Sequence, residues 1–435
     1  MSERNQETAE TRRMFEPRLR CLPALGLVGA YVYIGGTALP YGRNIPLLAL
    51  TLLAVLAVVR GGTKQRLLAH APLAVPVWLF LLATGLSTLL SVNVGHSLRF
   101  SVALLPAVLL FFLLAGHCDD VREPRRLCLV FTAVAFGLSC MVLWVGWRSV
   151  DVAPQVWVRG VGSPFLTVPN DATSLALIAP LALTIFYREP CGWEGFFAVT
   201  ALLLSVCSVV LLQSRVATLT MLVSLGCAAA LLRPWFGVIC GLTTLFIILL
   251  VDSLLGFPLV AKFGQLWDAR LSLWFVAWSL FLDAPVFGNG PHTFGLLYQS
   301  RLQELPMPAW LTLDPHAHVP WAHNLYLGIL AEQGMIGLAA LVFLFVCGFT
   351  LAWRTYRTNS GDRQIFAAGA FAGLVGVCVA AFFELTLMRE WVGIVLFPLL
   401  GLISQLSSAS RYSTTQIRST KEDKVWFQSL VAEKR

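Results

Sequence analysis

The stretch "WAHNLYLGILAEQGMIGLAALVFLFVCGFTLAW" at residues 321–353 begins with polar residues and continues as a long apolar run. A continuous helix from His323 to Trp353 would be about 46 Å long, whereas the hydrocarbon core of a bilayer is about 30 Å thick. We therefore expect a transmembrane helix that either tilts strongly or lines an aqueous cavity with its first turns. Glu332, inside the run, favours the cavity.

The whole chain has the same apolar character. Of its 435 residues, 57% are hydrophobic and 12% are charged, whereas soluble domains contain about 45–50% apolar and about 25% charged residues. The composition therefore predicts an all-α polytopic membrane protein with about 12 transmembrane helices. The predicted spans are 21–40, 44–59, 73–90, 98–116, 127–147, 172–187, 195–212, 216–232, 235–254, 323–353, 365–387 and 391–407.

The basic residues predict the topology of these spans. More than two thirds of the 31 Lys and Arg residues fall on the side that holds both termini, and this side is therefore predicted to be cytoplasmic. The net charge of +8 follows from this topology and does not indicate binding to nucleic acid. We find no pattern typical of a removable signal peptide.

The spans and loops suggest five segments. Residues 1–20 form a cytoplasmic N-terminal segment, and 21–254 contain transmembrane helices 1–9. Residues 255–322 form a long periplasmic loop, 323–407 contain helices 10–12, and 408–435 form a cytoplasmic basic tail. A loop as long as 255–322 usually has a function.

The long loop contains a predicted interfacial helix, "DARLSLWFVAWSLFLDAP" at 268–285. Asp268 can cap its start, and Pro285 lies just beyond its end. Trp274 and Trp278 are typical of a helix that lies at the membrane surface. The sequence "FGNGP" at 287–291, with Gly288 and Gly290, predicts a turn.

The long loop also contains or borders four of the seven histidines, which raises the possibility of a metal site. His316 and His318 alternate, and Asp314 could add an oxygen ligand. Zinc sites need three or four ligands at constrained spacing, and the loop contains no cysteine. We therefore expect that His316 and His318 form hydrogen bonds or contact water, and that the protein uses neither a metal ion nor another cofactor.

Three other side chains predict a site for an anionic substrate. His323 would lie at a helix N-terminus, where the positive dipole end favours neutral imidazole and attracts anions. Arg215 lies in a tight turn between apolar runs, and Arg270 lies in the predicted interfacial helix. Guanidinium groups suit bidentate binding of phosphate. Arg389 could join this site, or it could simply pair with Glu390.

The glycines after His323 predict a close contact between backbones. Gly334 and Gly337 lie three residues apart on one helix face, so another backbone could approach them closely.

These motifs together resemble the O-antigen ligase and polymerase superfamily. "HN" at 323–324, followed after nine residues by "GMIG", is similar to its His-Asn…Gly-x-x-Gly pattern. "QSRVA" at 213–217 resembles its Ser-Arg-Gly/Ala segment, with Val216 where glycine is common. "ARLSLWFVAWSLFLDAPVFGNGPHTF" at 269–294 resembles its Arg…Trp…Pro…Gly-x-Gly stretch. The resemblance covers about 205–340.

The resemblance implies a glycosyltransferase of the bacterial inner membrane with its active site facing the periplasm. Its donor would be a glycan on undecaprenyl diphosphate, and its acceptor a hydroxyl group of lipid A–core. The resemblance assigns the diphosphate to Arg215 and Arg270, and either the acceptor proton or the diphosphate to His323. Asn324, Trp274, His316 and His318 are further candidates from the same segments.

Three alternatives stay open at this stage. A polymerase would use a second lipid-linked glycan as its acceptor; the long loop favours the ligase. A protein O-oligosaccharyltransferase would be expected to carry a large extra C-terminal domain, which the chain lacks. A solute transporter would be expected to show internal repeats and ionisable residues at the membrane midplane, and here Glu384 is the main candidate inside a span.

Overall fold

The computed structural model describes residues 71–115, 122–149, 168–254, 268–305, 321–384 and 391–408, together with Gly256, Leu259 and Leu387. Over these ranges the chain is helical and contains no strand. The helices are α1 (Ala74–Leu89), α2 (Val94–Ala103), α3 (Leu105–Ala115), α4 (Arg122–Ser149), α5 (Val168–Arg188), α6 (Trp193–Leu211), α7 (Arg215–Leu232), α8 (Pro234–Leu254), α9 (Asp268–Asp283), α10 (Phe294–Glu304), α11 (Leu325–Thr358), α12 (Asp362–Phe383) and α13 (Trp391–Ser408).

Within the described ranges, eight helical segments are long and apolar enough to cross a membrane. The protein is therefore a multi-pass membrane protein. Helix α1 and residues Ala172–Arg188 of α5 are apolar but shorter. The predicted spans 21–40 and 44–59 and the basic tail lie outside the described residues, so the count of twelve is not confirmed.

The predicted span 98–116 consists of two consecutive helices, α2 and α3, with an interruption at Leu104. Pro106 explains the interruption, because proline has no N–H and its ring clashes with the carbonyl group four residues earlier. The start of α2 is capped by Asn93, whose side chain accepts a hydrogen bond from the His96 N–H at 3.1 Å. This cap extends the apolar segment back to Val94, four residues before the predicted start.

The centre of the bundle is α12, which is rich in glycine and alanine. A Cβ atom at Gly369 would lie 3.2 Å from the Pro180 carbonyl oxygen of α5, and one at Gly376 would lie 3.2 Å from Ser224 of α7. Small residues allow helices to approach closely where lipid provides no hydrophobic driving force. Helix α12 is antiparallel to both neighbours, so its C-terminal end lies beside the N-terminal end of α7.

Helix α11 differs most from the sequence-based prediction. It begins at Leu325 and ends at Thr358, but Gly334 has φ 66° and ψ −164°, which are not helical values. The predicted single helix of about 46 Å is therefore two helices, 325–333 and 335–358. The second alone rises about 36 Å, enough to cross the hydrocarbon core, so no strong tilt of one long helix is required.

Candidate functional site

Arg215 is the first residue of α7 and follows a turn of three residues after α6. Gln213 in this turn has φ 51°, which reverses the chain direction. The Ser214 side chain accepts a hydrogen bond from the Ala217 N–H at 3.3 Å and caps α7. Arg215 therefore lies at a capped helix N-terminus, where the helix dipole also favours anions.

Arg270 lies in the first turn of α9 and is half-buried. Burial lowers the pKa of its guanidinium group; nearby Glu384 opposes this shift and nearby Arg215 adds to it. The structure therefore places the two arginines near each other, although they are far apart in the sequence. Among the described residues, the buried Nη1 atom of Arg270 has no hydrogen-bond partner.

Trp274 follows Arg270 by one turn and fixes the orientation of α9. Its ring packs edge-on against Phe382 of α12, with ring centroids 5.6 Å apart. Glu384 is the C-cap of α12 and is 6% exposed. Trp274 and Arg270 therefore lie near the same end of α12, as expected if they lie on one face of α9.

His323 lies two residues before the start of α11. Its φ of 50° is uncommon for a residue other than glycine, and its ring lies edge-on to Trp321 at 5.9 Å. Asn324 is the N-cap, because its side chain accepts a hydrogen bond from the Leu327 N–H at 3.0 Å.

The first turn of α11 is joined to the C-terminal part of α12. The Tyr326 hydroxyl donates to the Cys378 carbonyl group at 3.2 Å. His323 therefore lies at the same end of the bundle as Arg215, Arg270 and Glu384.

The break in α11 is occupied by the turn that contains Gly288 and Gly290. The Met335 N–H donates to the Pro285 carbonyl at 2.8 Å, and the Ile336 N–H donates to the Val286 carbonyl at 3.3 Å. A Cβ atom at Gly334 would lie 2.4 Å from the Val286 carbonyl carbon. Only glycine therefore fits at Gly334, both for its positive φ and for the close backbone contact.

The region from α6 to α11 matches the sequence model of a known family. Residues 200–342, about a third of the chain, match the family described as O-antigen ligase. The match supports a relationship of this region to the O-antigen ligase/polymerase superfamily. The family implies a glycosyltransferase-like ligase or polymerase. No curated protein matches the chain.

The O-antigen ligase domain contains Arg215, Arg270 and His323, so the resemblance found in the sequence is confirmed at the level of the superfamily. Gly337 has a different environment from the one predicted. A Cβ atom there would lie 2.3 Å from Cβ of Gln333 in the preceding turn. Gly334 and Gly337 do not form one face for helix packing, because the helix breaks between Gln333 and Met335.

Glu332 in this region is only 6% exposed, whereas the sequence had suggested that it lines an aqueous cavity. Its carboxylate accepts hydrogen bonds from the backbone N–H groups of His292 and Phe294, the latter at 3.2 Å. A carboxylate in an apolar run requires such partners. The position of Glu332 in the run was therefore the only sequence feature that could have predicted these hydrogen bonds. The donors come from residues about 40 positions earlier, so the sequence could not identify them.

A histidine pair that joins His292 of this region to His96 of α2 was not recognised from the sequence. His96 Nε2 lies 3.2 Å from His292 Nδ1, and the Phe100 ring stacks on the His292 ring at 3.6 Å. Burial is the main cause that lowers the pKa of His292 to about 4, and His96 lowers it further. His292 is therefore neutral at pH 7 and joins α2 to the turn in the break.

Three candidate residues, His316, His318 and Arg389, lie outside the described residues. Within the part of the chain that the structure describes, no three His, Cys, Asp or Glu residues form a group that could hold a metal ion. Metal independence stays a prediction.

Proposed function

We propose that the protein is an O-antigen ligase. It transfers a glycan from undecaprenyl diphosphate to a hydroxyl group of lipid A–core, at the periplasmic face of the bacterial inner membrane. The observation that supports this most is the buried Nη1 atom of Arg270, which has no hydrogen-bond partner among the described residues and lies near Arg215. Two neighbouring guanidinium groups at a helix N-terminus suit a diphosphate better than a neutral ligand.

In this proposal, Arg215 and Arg270 bind the diphosphate and stabilise the charge that develops as it leaves. A fixed pair of cationic donors can provide this without rearrangement. The capped N-terminus of α7 adds a partial positive charge. Because these two guanidinium groups would neutralise the leaving diphosphate, we expect that the chemistry needs no metal ion and that a chelator does not reduce transfer.

His323 accepts the proton of the attacking acceptor hydroxyl. An imidazole near a helix N-terminus tends to be neutral, and neutral imidazole is the form that acts as a base. The hydroxyl oxygen attacks the anomeric carbon while the bond to the diphosphate oxygen breaks. A single displacement of this kind inverts the anomeric carbon. The alternative is that His323 helps to hold the diphosphate.

The proposed topology places the site at the periplasmic side. Eight arginines lie near helix ends at the opposite end of the bundle: Arg122, Arg125, Arg126, Arg188, Arg233, Arg354, Arg357 and Arg363. An excess of basic residues is typical of the cytoplasmic side. Both termini would then be cytoplasmic, and the 255–322 segment would be periplasmic, with α9 beside the headgroups.

Reconstitution with lipid-linked glycan and two competing acceptors, lipid A–core and a second lipid-linked glycan, tests this proposal. The ligase would give glycan on lipid A–core. A polymerase would lengthen the lipid-linked glycan, and a protein O-oligosaccharyltransferase would modify only an added protein acceptor. Uptake of solute without any new glycosidic bond would support a transporter and overturn the enzyme proposal.

A further inference from the structure

The candidate site is built on two separate pieces of the chain. Arg270 belongs to α9, whereas His323 immediately precedes residues 325–333, the first part of α11, which we name the short helix. Residues 284–293, which we name the connecting loop, follow α9 and enter the break at Gly334. The position of His323 relative to Arg270 therefore depends on how the connecting loop is held by the short helix.

Backbone hydrogen bonds make the first part of this connection. The Asn289 N–H donates to the Ala331 carbonyl at 3.1 Å, and the Gly290 N–H donates to the Glu332 carbonyl at 2.7 Å. The Asn289 side chain donates to the carbonyl groups of Leu280 and Ala331, both at 2.9 Å. Asn289 thus bonds directly to α9 and to the short helix.

The Glu332 side chain makes the second part. Its carboxylate accepts the N–H groups of His292 and Phe294, at the end of the connecting loop and the start of α10. A buried carboxylate is costly unless it is hydrogen-bonded, and hydrogen bonds to a charged group are roughly twice as strong as neutral ones. The N-terminus of α10 adds a favourable dipole.

We propose that Glu332 is a positioning residue: its carboxylate fixes the connecting loop to the short helix and so holds His323 in register with Arg270. The inference rests on the proposed function, because it concerns the same two site residues. Glu332 is buried and binds backbone N–H groups, so it acts through the loop and does not contact the substrate. Small misplacements of catalytic groups can reduce a rate by about a hundredfold.

The variant Glu332→Gln tests the proposal with nearly unchanged volume. Glutamine loses the charge, and its amide nitrogen cannot accept the second N–H group. Gln333→Met is the matched control. Gln333 lies on the same turn and is 1% exposed, but its side chain accepts a hydrogen bond from Thr84 of α1 at 3.0 Å. Both proteins are compared as full chains, normalised to the folded fraction after size-exclusion chromatography.

Hydrogen exchange tests the connection independently of activity. In Glu332→Gln, the amides of residues 288–294 should exchange at least about tenfold faster, because two protecting hydrogen bonds are weakened. In Gln333→Met they should exchange as in the wild type. Unchanged exchange in Glu332→Gln, or equal acceleration in both variants, would overturn the proposal.

Steady-state transfer tests the link to chemistry. Glu332→Gln should lower kcat by about 10–100-fold and leave the KM for lipid-linked donor within about threefold. The pH profile should keep its shape, and Glu332→Asp should recover part of kcat. A wild-type kcat in Glu332→Gln despite faster exchange would overturn the positioning role. A wild-type protein that transfers no glycan would overturn the proposed function, while exchange alone would still show whether Glu332 fixes the loop.

Discussion

The arginines at the two ends of the helical bundle differ in whether they form ion pairs. At one end, Arg125 forms a bidentate pair with Glu194, with nitrogen–oxygen distances of 3.0 and 2.5 Å. Arg188 donates to Asp362 at 2.8 Å. These pairs join α4 to α6 and α5 to α12. At the other end, Arg270 is half-buried near a second arginine, and its buried Nη1 atom lacks a hydrogen-bond partner among the described residues.

Arg301 shows that an arginine near the candidate site can also be ion-paired. It belongs to the helix that follows the connecting loop, and it is paired with Asp283 and Glu304. The hydrogen bond with Glu304 is the main cause that raises the pKa of Arg301, whereas burial lowers the pKa of Arg270. Paired arginines stabilise the fold. A half-buried arginine whose buried donor atom has no partner among the described residues can instead bind an anion.

The largest effects are expected from His323→Ala and Arg215→Ala. Each should reduce transfer by about 10³-fold, because a general base or a donor to the developing charge is lost. Arg188→Ala, at the paired end, should keep transfer within about threefold. Lipopolysaccharide banding on a gel and membrane immunoblots measure product and expression. Normal banding in either site variant would contradict the proposal that residues at this end carry out transfer while the paired arginines at the other end stabilise the fold.

Gly334→Ala should be the most damaging change to the fold at the site end. The new Cβ atom would lie 2.4 Å from the Val286 backbone, and alanine disfavours a φ of 66°. We expect a loss of at least about 2 kcal/mol. Gly328→Ala is the control, because a Cβ there meets no atom within 4 Å. Thermal unfolding in detergent compares the two; equal midpoints would mean that the break tolerates a side chain.

Arg270→Lys keeps the positive charge but loses the planar fork. We expect kcat to fall by about 10–100-fold, because a lysine cannot bind the diphosphate in a bidentate manner. Arg188→Lys at the paired end should retain wild-type transfer. Full activity of Arg270→Lys in the reconstituted assay would show that Arg270 provides only charge or anchors α9.

The last prediction concerns a pH dependence of stability at the His96–His292 pair. His292 has a pKa of about 4 in the folded protein, below its ordinary value of 6.5. The unfolded chain therefore binds more protons between these values. The stabilisation is complete above pH 6.5 and is lost as the pH falls towards 4, by at most about 1.4 kcal/mol per pH unit.

His292→Asn should weaken this dependence, because asparagine does not titrate and tolerates the φ of 62° at this position. Thermal midpoints of the two proteins at pH 7.5 and pH 5 measure the difference. An equal loss of stability in both proteins on acidification would assign the effect to other groups.

Much of the helical layout follows from the sequence. Hydropathy alone predicts helices at 195–212, 216–232 and 235–254, and the structure has α6, α7 and α8 within two residues of these bounds. The Asp268 start of α9 also agrees with the sequence-based expectation. These features are local: an apolar run of sufficient length must be helical in a bilayer, because its backbone polar groups have no other partners.

The break at Gly334 depends on tertiary contacts and could not be predicted from the sequence. Residues 325–333 and 335–358 read as one apolar helix, and nothing local distinguishes a glycine that packs against a helix from one that breaks it. The break forms because backbone groups about 50 residues earlier in the chain enter it, with Pro285 and Val286 accepting hydrogen bonds from Met335 and Ile336. The sequence determined which segments are helical and which superfamily they resemble. The proximity of Arg215 to Arg270, and the partners of Glu332, arise from long-range packing that no local pattern encodes.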